Sequence, residues 1–407
     1  MTIEAVSVQL ITDWVIERGL AGDDEIALLH GFCDRCVEAG INLSRGVAMI
    51  DTLHPTYEGR AFFWHRDKEP ETLVSEYESS SEGPGADQWQ KSPFFHLLQS
   101  GGSEMRFRLE QGETTRFDIL EELRAKGNTD YLIMVHRFRR ETAIGEMDCF
   151  FSRWMTDRPG GFEDADIDAL RRLAPALGLA IKSRSLIRVA QSLVEVYLGH
   201  DAGRKVLEGQ MQRGVAEKIH AVLWFSDMQG FTAMSERLGS HELIPILDDY
   251  ADAVISAIHE AGGDVLKLIG DGVLAIFTDD NPAAACSAAL AAERSMRKRV
   301  AALDERRKSQ GEPLASIYLG LHIGDVFYGN IGSKERLDFT VVGPAVNETH
   351  RISSMCTSVD RSLLVSSDFL NGLPEAERTE FASVGRFALR GVGRAQQLFT
   401  LDVEPDD

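Results

Sequence analysis

Apolar residues follow two different spacings along the chain, and each spacing predicts a different element. Short apolar runs such as 45–51 and 131–138 predict buried strands, whereas the three- and four-residue spacing within 242–261 predicts an amphipathic helix. Helices and strands interleave in the N-terminal half, which closes with a predicted helix at 164–181. From residue 215 onwards, the mixture predicts an α+β domain with a mainly antiparallel sheet flanked by helices.

The pattern divides the chain into three parts: an N-terminal α/β domain at 1–184, a helical linker at 185–214 and a C-terminal domain at 215–407. In the linker, apolar residues recur at alternating three- and four-residue steps, which predicts a short coiled-coil seam. A simple connection between domains is the alternative interpretation. The seam positions are Ile187, Ala190, Val194 and Tyr197.

A first candidate site lies in the stretch AVLWFSDMQGFT, residues 221–232. Its apolar run predicts a strand, and Asp227 follows at the strand's C-terminal end, just before a predicted helix that begins near Phe231. A carboxylate beside free backbone amides suits a metal ion and a phosphate chain. Capping of the helix is the alternative role for Asp227.

A second carboxylate stands in GDVLKLIGDGVLAIF, residues 263–277, which predicts two strands joined by a Gly-Asp-Gly turn. If this hairpin pairs with the strand before Asp227, Asp271 lies at a neighbouring strand end. Two carboxylates without His or Cys suit Mg²⁺ or Mn²⁺. An ordinary hairpin turn is the alternative interpretation of Asp271.

The third stretch is LDFTVVGPAVNETHR, residues 337–351, in which a strand runs into a glycine and then Pro344. Proline suits the first turn of a helix. Asn347 and Arg351 are four residues apart and therefore share one helix face. An amide and a guanidinium there suit a sugar oxygen and a phosphate, although an ordinary polar helix face has the same appearance.

These motifs resemble, in the same order, the catalytic domain of the class III nucleotidyl cyclases, with features of the bacterial class IIIb subgroup. The resemblance covers roughly 221–401. It is carried by FSDMQGFT, KLIGDGVLAIF, GLHIGDVFYGNIGS and DFTVVGPAVNETHR.

The resemblance implies a role for each site residue. Asp227 and Asp271 would bind two metal ions, Mg²⁺ or Mn²⁺, in each active site. Asn347 and Arg351 would act on the transition state. The residues that would bind the substrate are Lys267, Thr340, Gly230, Phe231, Thr232 and Arg390.

The chemistry of two of these residues agrees with adenine as the base. Lysine only donates hydrogen bonds and so fits the adenine N1 acceptor, whereas the Thr340 hydroxyl can accept from the N6 amine. Guanylyl cyclases typically carry Glu and Cys at these two places. The alternative for Lys267 is a side chain that simply faces solvent on its strand.

The resemblance therefore implies an adenylate cyclase, a phosphorus–oxygen lyase that converts ATP to cyclic AMP and pyrophosphate. In this family the metal aspartates come from one subunit and the other catalytic residues from its partner, which implies a head-to-tail homodimer. A guanylate cyclase and a catalytically inactive cyclase-fold dimerisation or binding module are the alternatives. A phosphodiesterase would need a His-rich metal site, and the motifs hold none.

The N-terminal part resembles a GAF-type sensor domain, chiefly in GGFEDADIDALRRLAPALGLAI, residues 160–181. This implies regulation by an unknown small-molecule or protein signal, and a fold used only for dimerisation is the alternative. Cys33 and Cys36 form a CxxC pair within a predicted helix. Without further ligands, buried thiols are the preferred interpretation over a metal or redox site.

The net charge and the N-terminal sequence limit the kinds of partner and the location that the sequence predicts. The net charge of −21 argues against nonspecific binding of nucleic acid and against an anionic membrane surface. The N-terminus lacks the basic region of a signal peptide, and no segment has the length of a membrane span. The sequence therefore predicts a cytoplasmic protein.

Overall fold

The computed structural model describes residues 5–67, 72–78, 84–111, 117–138, 144–145 and 147–401. The chain forms two compact units, 1–193 and 194–407, which are described separately below. Across the described ranges, no helix combines the length and apolar character needed to cross a membrane.

The N-terminal unit is built on a six-stranded sheet in which every neighbouring pair is antiparallel. This unit is therefore α+β, and the α/β assignment made from its interleaved elements is wrong, because consecutive strands pair as neighbours instead of through parallel crossovers. The order along the sheet is β3-β2-β1-β6-β5-β4, with β1 (Arg45–Asp51), β2 (Gly59–His65), β3 (Val74–Tyr77), β4 (Glu104–Phe107), β5 (Asp130–Arg137) and β6 (Cys149–Thr156).

Helices cover both faces of this sheet. The first, second and last pack on one face, and the fourth and fifth pack on the other. A short helix lies at Pro84–Gln90, where Ala86 is buried. The six helices are α1 (Ala5–Ala21), α2 (Glu25–Glu38), α3 (Pro84–Gln90), α4 (Pro93–Gln99), α5 (Asp118–Ala125) and α6 (Asp164–Leu198).

The predicted linker begins inside α6, which continues without interruption from Asp164 to Leu198. Two of the seam positions, Ile187 and Tyr197, are 46% and 80% exposed, so within one chain this stripe is uncovered. The coiled coil itself stays a prediction. Cys33 and Cys36 are both buried free thiols, and burial raises the pKa of each.

The C-terminal unit holds an eight-stranded sheet in which only one pair, β10 with β12, is parallel. The predicted α+β arrangement with a mainly antiparallel sheet is what this unit adopts. The order is β13-β14-β12-β10-β7-β9-β8, and β11 also pairs with β10. The strands are β7 (Ala216–Met228), β8 (Asp264–Ile269), β9 (Gly272–Phe277), β10 (Ile317–Gly332), β11 (Leu337–Val342), β12 (Leu363–Ser366), β13 (Phe381–Phe387) and β14 (Gln396–Leu401).

Two long helices, the third and fourth of this unit, cover one face of the sheet and form its largest apolar core. Asn281 caps the longer of them by accepting a hydrogen bond from the Ala283 amide, and Gly311 ends it with a left-handed φ of +71°. The helices are α7 (His200–Leu207), α8 (Phe231–Ser235), α9 (Ser240–Glu260), α10 (Pro282–Gln310), α11 (Pro344–Val359), α12 (Ser367–Gly372) and α13 (Glu375–Arg378).

Strand β10 contains most of the motif GLHIGDVFYGNIGS. The strand runs through Gly324 and Asp325 and stays paired with β7 at both residues. Gly324 is required by packing, since a Cβ there would lie 2.8 Å from the Ala345 Cβ of α11. Asp325 is exposed and pairs with Lys218 and His220 of β7, so it plays no part in the carboxylate pair described below.

Helix α7 packs onto strand β8 through a close backbone approach. Gly199, which precedes the helix, has a φ of +85°, and a Cβ there would lie 2.5 Å from the Val265 carbonyl oxygen. The Asp201 amide donates to the Asp264 carboxylate over 3.4 Å. Ala202 is fully buried in the core shared by β7, β8, β9 and β11. The residues before β7 are thus part of the C-terminal unit's core.

The C-terminal unit also contains a buried ion pair that allows a matched test of stability. Arg307 and Arg306 of α10 both bind Asp249 of α9, but the Arg307 side chain is 3% exposed and that of Arg306 is 54% exposed. We expect Arg307→Met to lower the free energy of unfolding by about 3 kcal/mol and Arg306→Met by less than about 1 kcal/mol. Denaturant unfolding of both variants measures the difference, and equal losses would contradict the burial argument.

Candidate active site

Two carboxylates meet at the ends of β7 and the β8–β9 hairpin. Asp227 lies near the end of β7, and Asp271 stands in the tight turn, where Gly270 has a φ of +64°. The side chains of these two aspartates are close enough to interact electrostatically. The Met228 amide donates to the Asp271 Oδ2 over 3.1 Å and holds that side chain in place. The predicted neighbouring strand ends are therefore present, because β7 pairs with β9.

The electrostatics of this pair suit a cation. Burial, followed by the Asp271 carboxylate, raises the pKa of Asp227 to about 7. Among the described residues, no Lys, Arg or His side chain forms an ion pair with Asp227 or Asp271. Within the described ranges, no group of three or more His, Cys, Asp or Glu side chains is arranged so that it could hold a metal ion by itself. A Mg²⁺ ion takes one or two carboxylates plus substrate phosphates, so the donor set fits such an ion.

Lys267 lies on β8 beside strand β11, at the end of a local irregularity in the β8–β9 pairing. Its ammonium group donates to the Asp338 carboxylate, and both side chains are about two-fifths exposed. Thr340 is two residues further along β11 and therefore lies on the same face as Asp338. The structure thus places Lys267 beside the strand that carries Thr340.

Asp338 was not identified from the sequence as a site residue. The period of two along β11 was a usable signal, because it places Asp338 on the same face as Thr340. What the sequence did not reveal was which strand lies beside β8. Since Asp338 holds the Lys267 ammonium group, it belongs to the candidate base-binding pocket.

Asn347 and Arg351 lie one turn apart on α11, as their spacing predicted. Pro344 occupies the first turn of this helix, and the ring of His350 packs 4.7 Å from the ring of Phe225 on β7. Asn347 is exposed and Arg351 is half-buried. The amide and guanidinium are therefore accessible to a ligand from a helix that packs firmly on the sheet.

The remaining predicted substrate residues occupy two places. Gly230 has a φ of +73° and precedes α8, which begins at Phe231 as expected; Phe231 packs against the main core, and Thr232 is exposed. Arg390 is exposed in the connection between β13 and β14. Two strands, β12 and β10, separate β14 from β7, so within one chain Arg390 lies away from the Asp227 strand.

Comparison with known proteins finds relatives of the C-terminal unit. Residues 215–402 match the family model described as "Adenylate and Guanylate cyclase catalytic domain". An adenylate cyclase from Anabaena cylindrica is 34% identical over 163 residues, which are 39% of this chain and 32% of that protein. Adenylate cyclase 1 from Rhizobium meliloti is 29% identical over 177 residues, 42% of this chain and 26% of that protein. The chain thus spans about a third or less of the length of these two relatives.

Solved structures give similar matches. The adenylyl cyclase CyaB from P. aeruginosa is 26% identical and has a TM-score of 0.42; the match covers 47% of this chain and 98% of that one. A bacterial light-regulated adenylyl cyclase is 19% identical with a TM-score of 0.48, over 63% of this chain and 83% of that one.

Proposed function

Residues 215–402 match the family model of the adenylate and guanylate cyclase catalytic domain, and from that premise we propose that this protein is an adenylate cyclase that converts ATP to cyclic AMP and pyrophosphate. The observation that carries the choice of base is Lys267 lying beside the strand of Thr340. This pocket offers a donor for adenine N1 and a hydroxyl acceptor for the N6 amine. Guanine presents a donor at N1 and an acceptor at its six position, which reverses both requirements.

We further propose that Asp227 and Asp271 hold the divalent cations, Mg²⁺ or Mn²⁺. When bound, such ions would supply positive charge that acidifies the ribose 3′-hydroxyl and offsets the charge of the phosphates. The chain's own contribution is to hold two carboxylates close together, with the Asp271 side chain held by the Met228 amide. Preorganised carboxylates need little rearrangement when the cations and the substrate arrive.

Helix α11 would provide the residues that act on the reacting groups. The Arg351 guanidinium matches the oxygens of the α-phosphate, where negative charge increases as the 3′-oxygen attacks, and Asn347 can hydrogen-bond the ribose. Donors on a packed helix keep their positions during the reaction. Loss of either side chain should therefore lower kcat more than it raises KM.

The active site is proposed to form between two copies of the chain. One copy would contribute Asp227 and Asp271, and the other would contribute Lys267, Thr340, Asn347 and Arg351. A head-to-tail pair of identical chains then forms two equal sites. The N-terminal unit, with its uncovered α6 stripe, is proposed to regulate this assembly in response to a signal.

The first experiment is to incubate the purified full chain with Mn²⁺ and either ATP or GTP and to measure cyclic nucleotide formation. We expect cyclic AMP from ATP and at most slow turnover of GTP. Equal or faster GTP turnover would favour a guanylate cyclase. No turnover by a protein that is dimeric in solution would favour the inactive binding module.

Asp338 provides a sharper test of the base pocket. We expect Asp338→Asn to lower kcat/KM for ATP by up to about fivefold, mainly through KM, because an exposed ion pair orients Lys267 with only modest energy. Asp338→Glu should recover part of the loss. Steady-state kinetics should show no change for Glu335→Gln, an exposed carboxylate just before β11. A pure kcat effect of Asp338→Asn would contradict the positioning role.

A further inference from the structure

A large cavity lies inside the N-terminal unit, between the sheet and helices α3, α4 and α5. Its volume is about 1530 Å³. This exceeds the roughly 300–1,000 Å³ of ordinary ligand pockets, so the space suffices for a small organic molecule with water. The apolar part of its wall consists of Val47, Met49, Ala61, Phe63, Phe94 and Phe151.

Aromatic rings form one side of the cavity. The ring of Phe151, on β6, has two edge-on neighbours: Trp89 at 5.7 Å and Phe94 at 5.5 Å between ring centroids. The interplanar angles of 83° and 78° are those of edge-to-face packing. A flat ring can join such a cluster with favourable edge and face contacts, so the wall favours an aromatic ligand.

A cation stands among these apolar groups. Arg153 projects from the same face of β6 as Phe151 and pairs across the sheet with Val47 and Ile133, in the middle of the sheet. Its Nε is buried and has no hydrogen-bond partner, and within the described ranges no carboxylate forms an ion pair with it. The Tyr131 side chain is its neighbour: the guanidinium carbon lies 6.0 Å from the ring centroid, and the guanidinium also interacts with the phenol oxygen.

Arg153 is half-buried, and its unpartnered Nε leaves part of the guanidinium for an anion or a water to satisfy. A carboxylate fits best, because its two oxygens match the planar fork of a guanidinium. The remaining charges limit how much negative charge a ligand can carry. Besides Arg153, the lining carries one further cation, Lys91, and six carboxylates, so the net charge of the wall repels polyanions such as nucleoside triphosphates. The six are Asp51, Glu58, Glu78, Asp118, Glu122 and Asp148.

We propose that this cavity binds a small aromatic monocarboxylate, with its carboxylate on Arg153 and its ring against the Phe151 cluster. The inference deepens the proposed regulatory role of the N-terminal unit by naming the chemical class of its ligand. It concerns binding alone, so it can be tested without reference to cyclase activity.

The test uses isothermal titration calorimetry on the full chain with phenylacetate and indole-3-acetate. The neutral controls are phenylacetamide and indole-3-acetamide, and phenyl phosphate serves as the dianionic control. We expect at least one acid to bind at least about tenfold more tightly than its amide, since hydrogen bonds to charged groups are the stronger class. We also expect that acid to bind more tightly than phenyl phosphate, because of the acidic lining.

Variants of Arg153 decide whether the arginine is responsible. Arg153→Gln should reduce acid binding to the level of the amide. Arg153→Lys keeps the positive charge but loses the planar guanidinium. Its affinity for the acid should therefore lie between that of the wild type and that of Arg153→Gln. Arg172→Gln, at an exposed position of α6, should bind like the wild type. If Arg153→Gln does not fold, the Arg153→Lys comparison still carries the test.

Three results would overturn the inference: no binding of either acid, equal binding of acids and amides, or acid binding that is unchanged in both Arg153 variants. Cyclic AMP formation with and without the bound acid is measured in the same samples. That readout bears only on the proposed regulation, so a failure of binding and a failure of regulation are distinguishable.

Discussion

Asp227→Ala is expected to reduce cyclic AMP formation by about a thousandfold or more. The substitution removes half of the carboxylate pair at the β7 end, and the charge that this pair is proposed to hold is worth several kcal/mol in the transition state. Initial rates with Mn²⁺ and ATP measure the loss. Asp325→Ala, which removes an exposed carboxylate of β10 outside the pair, serves as the matched control and should retain most activity.

The same variant tests whether the site is shared between subunits. Lys267→Ala is expected to be nearly inactive as well, but mixing it with Asp227→Ala forms heterodimers with one intact site. Random pairing would then restore about a quarter of the wild-type activity, because half of the dimers are mixed and each has one complete site. Absence of recovery, at concentrations where subunit exchange is demonstrated, would contradict the shared site.

The second large effect is expected from the double variant Lys267→Glu with Thr340→Cys. Glu can accept from guanine where Lys267 is proposed to donate to adenine, so kcat/KM for ATP should fall by about a thousandfold or more as the adenine N1 and N6 groups lose their partners. Turnover of GTP should become measurable. Chromatography of the products from equimolar ATP and GTP gives both rates in one experiment.

Lys298→Glu is the matched control for charge reversal, because this lysine is exposed on α10 away from β8. It should preserve the preference for ATP. Retention of that preference in the double variant would show that the base is selected elsewhere. In that case Asp338, which contacts the Lys267 ammonium group, would be the next residue to replace.

Local signals in the sequence were sufficient for much of the candidate site. The glycine turn around Asp271 and the proline that starts α11 each depend on nearby residues, and the structure contains both. The proximity of Asp227 and Asp271 followed from one assumption, that β7 pairs with β9, and this pairing is observed.

Contacts between distant segments were not predictable in the same way. Asp338 reaches Lys267 from 71 residues away, and its role depends on β11 lying beside β8. Glycine is common in turns, but Gly324 lies within strand β10, where the absence of a side chain allows α11 to pack closely on the strand. In both cases, the role of the residue depends on contacts with a distant segment, and the local sequence does not reveal those contacts.

The packing of α7 on β8 has a consequence for protein engineering. A chimera that joins a foreign input domain at residue 214 would discard Ala202, a fully buried core residue, together with the Asp201–Asp264 hydrogen bond. Exposed β-sheet core would then favour aggregation, whatever the new domain senses. A junction at or before Val194 keeps α7 with its strand, so such fusions should be joined within α6.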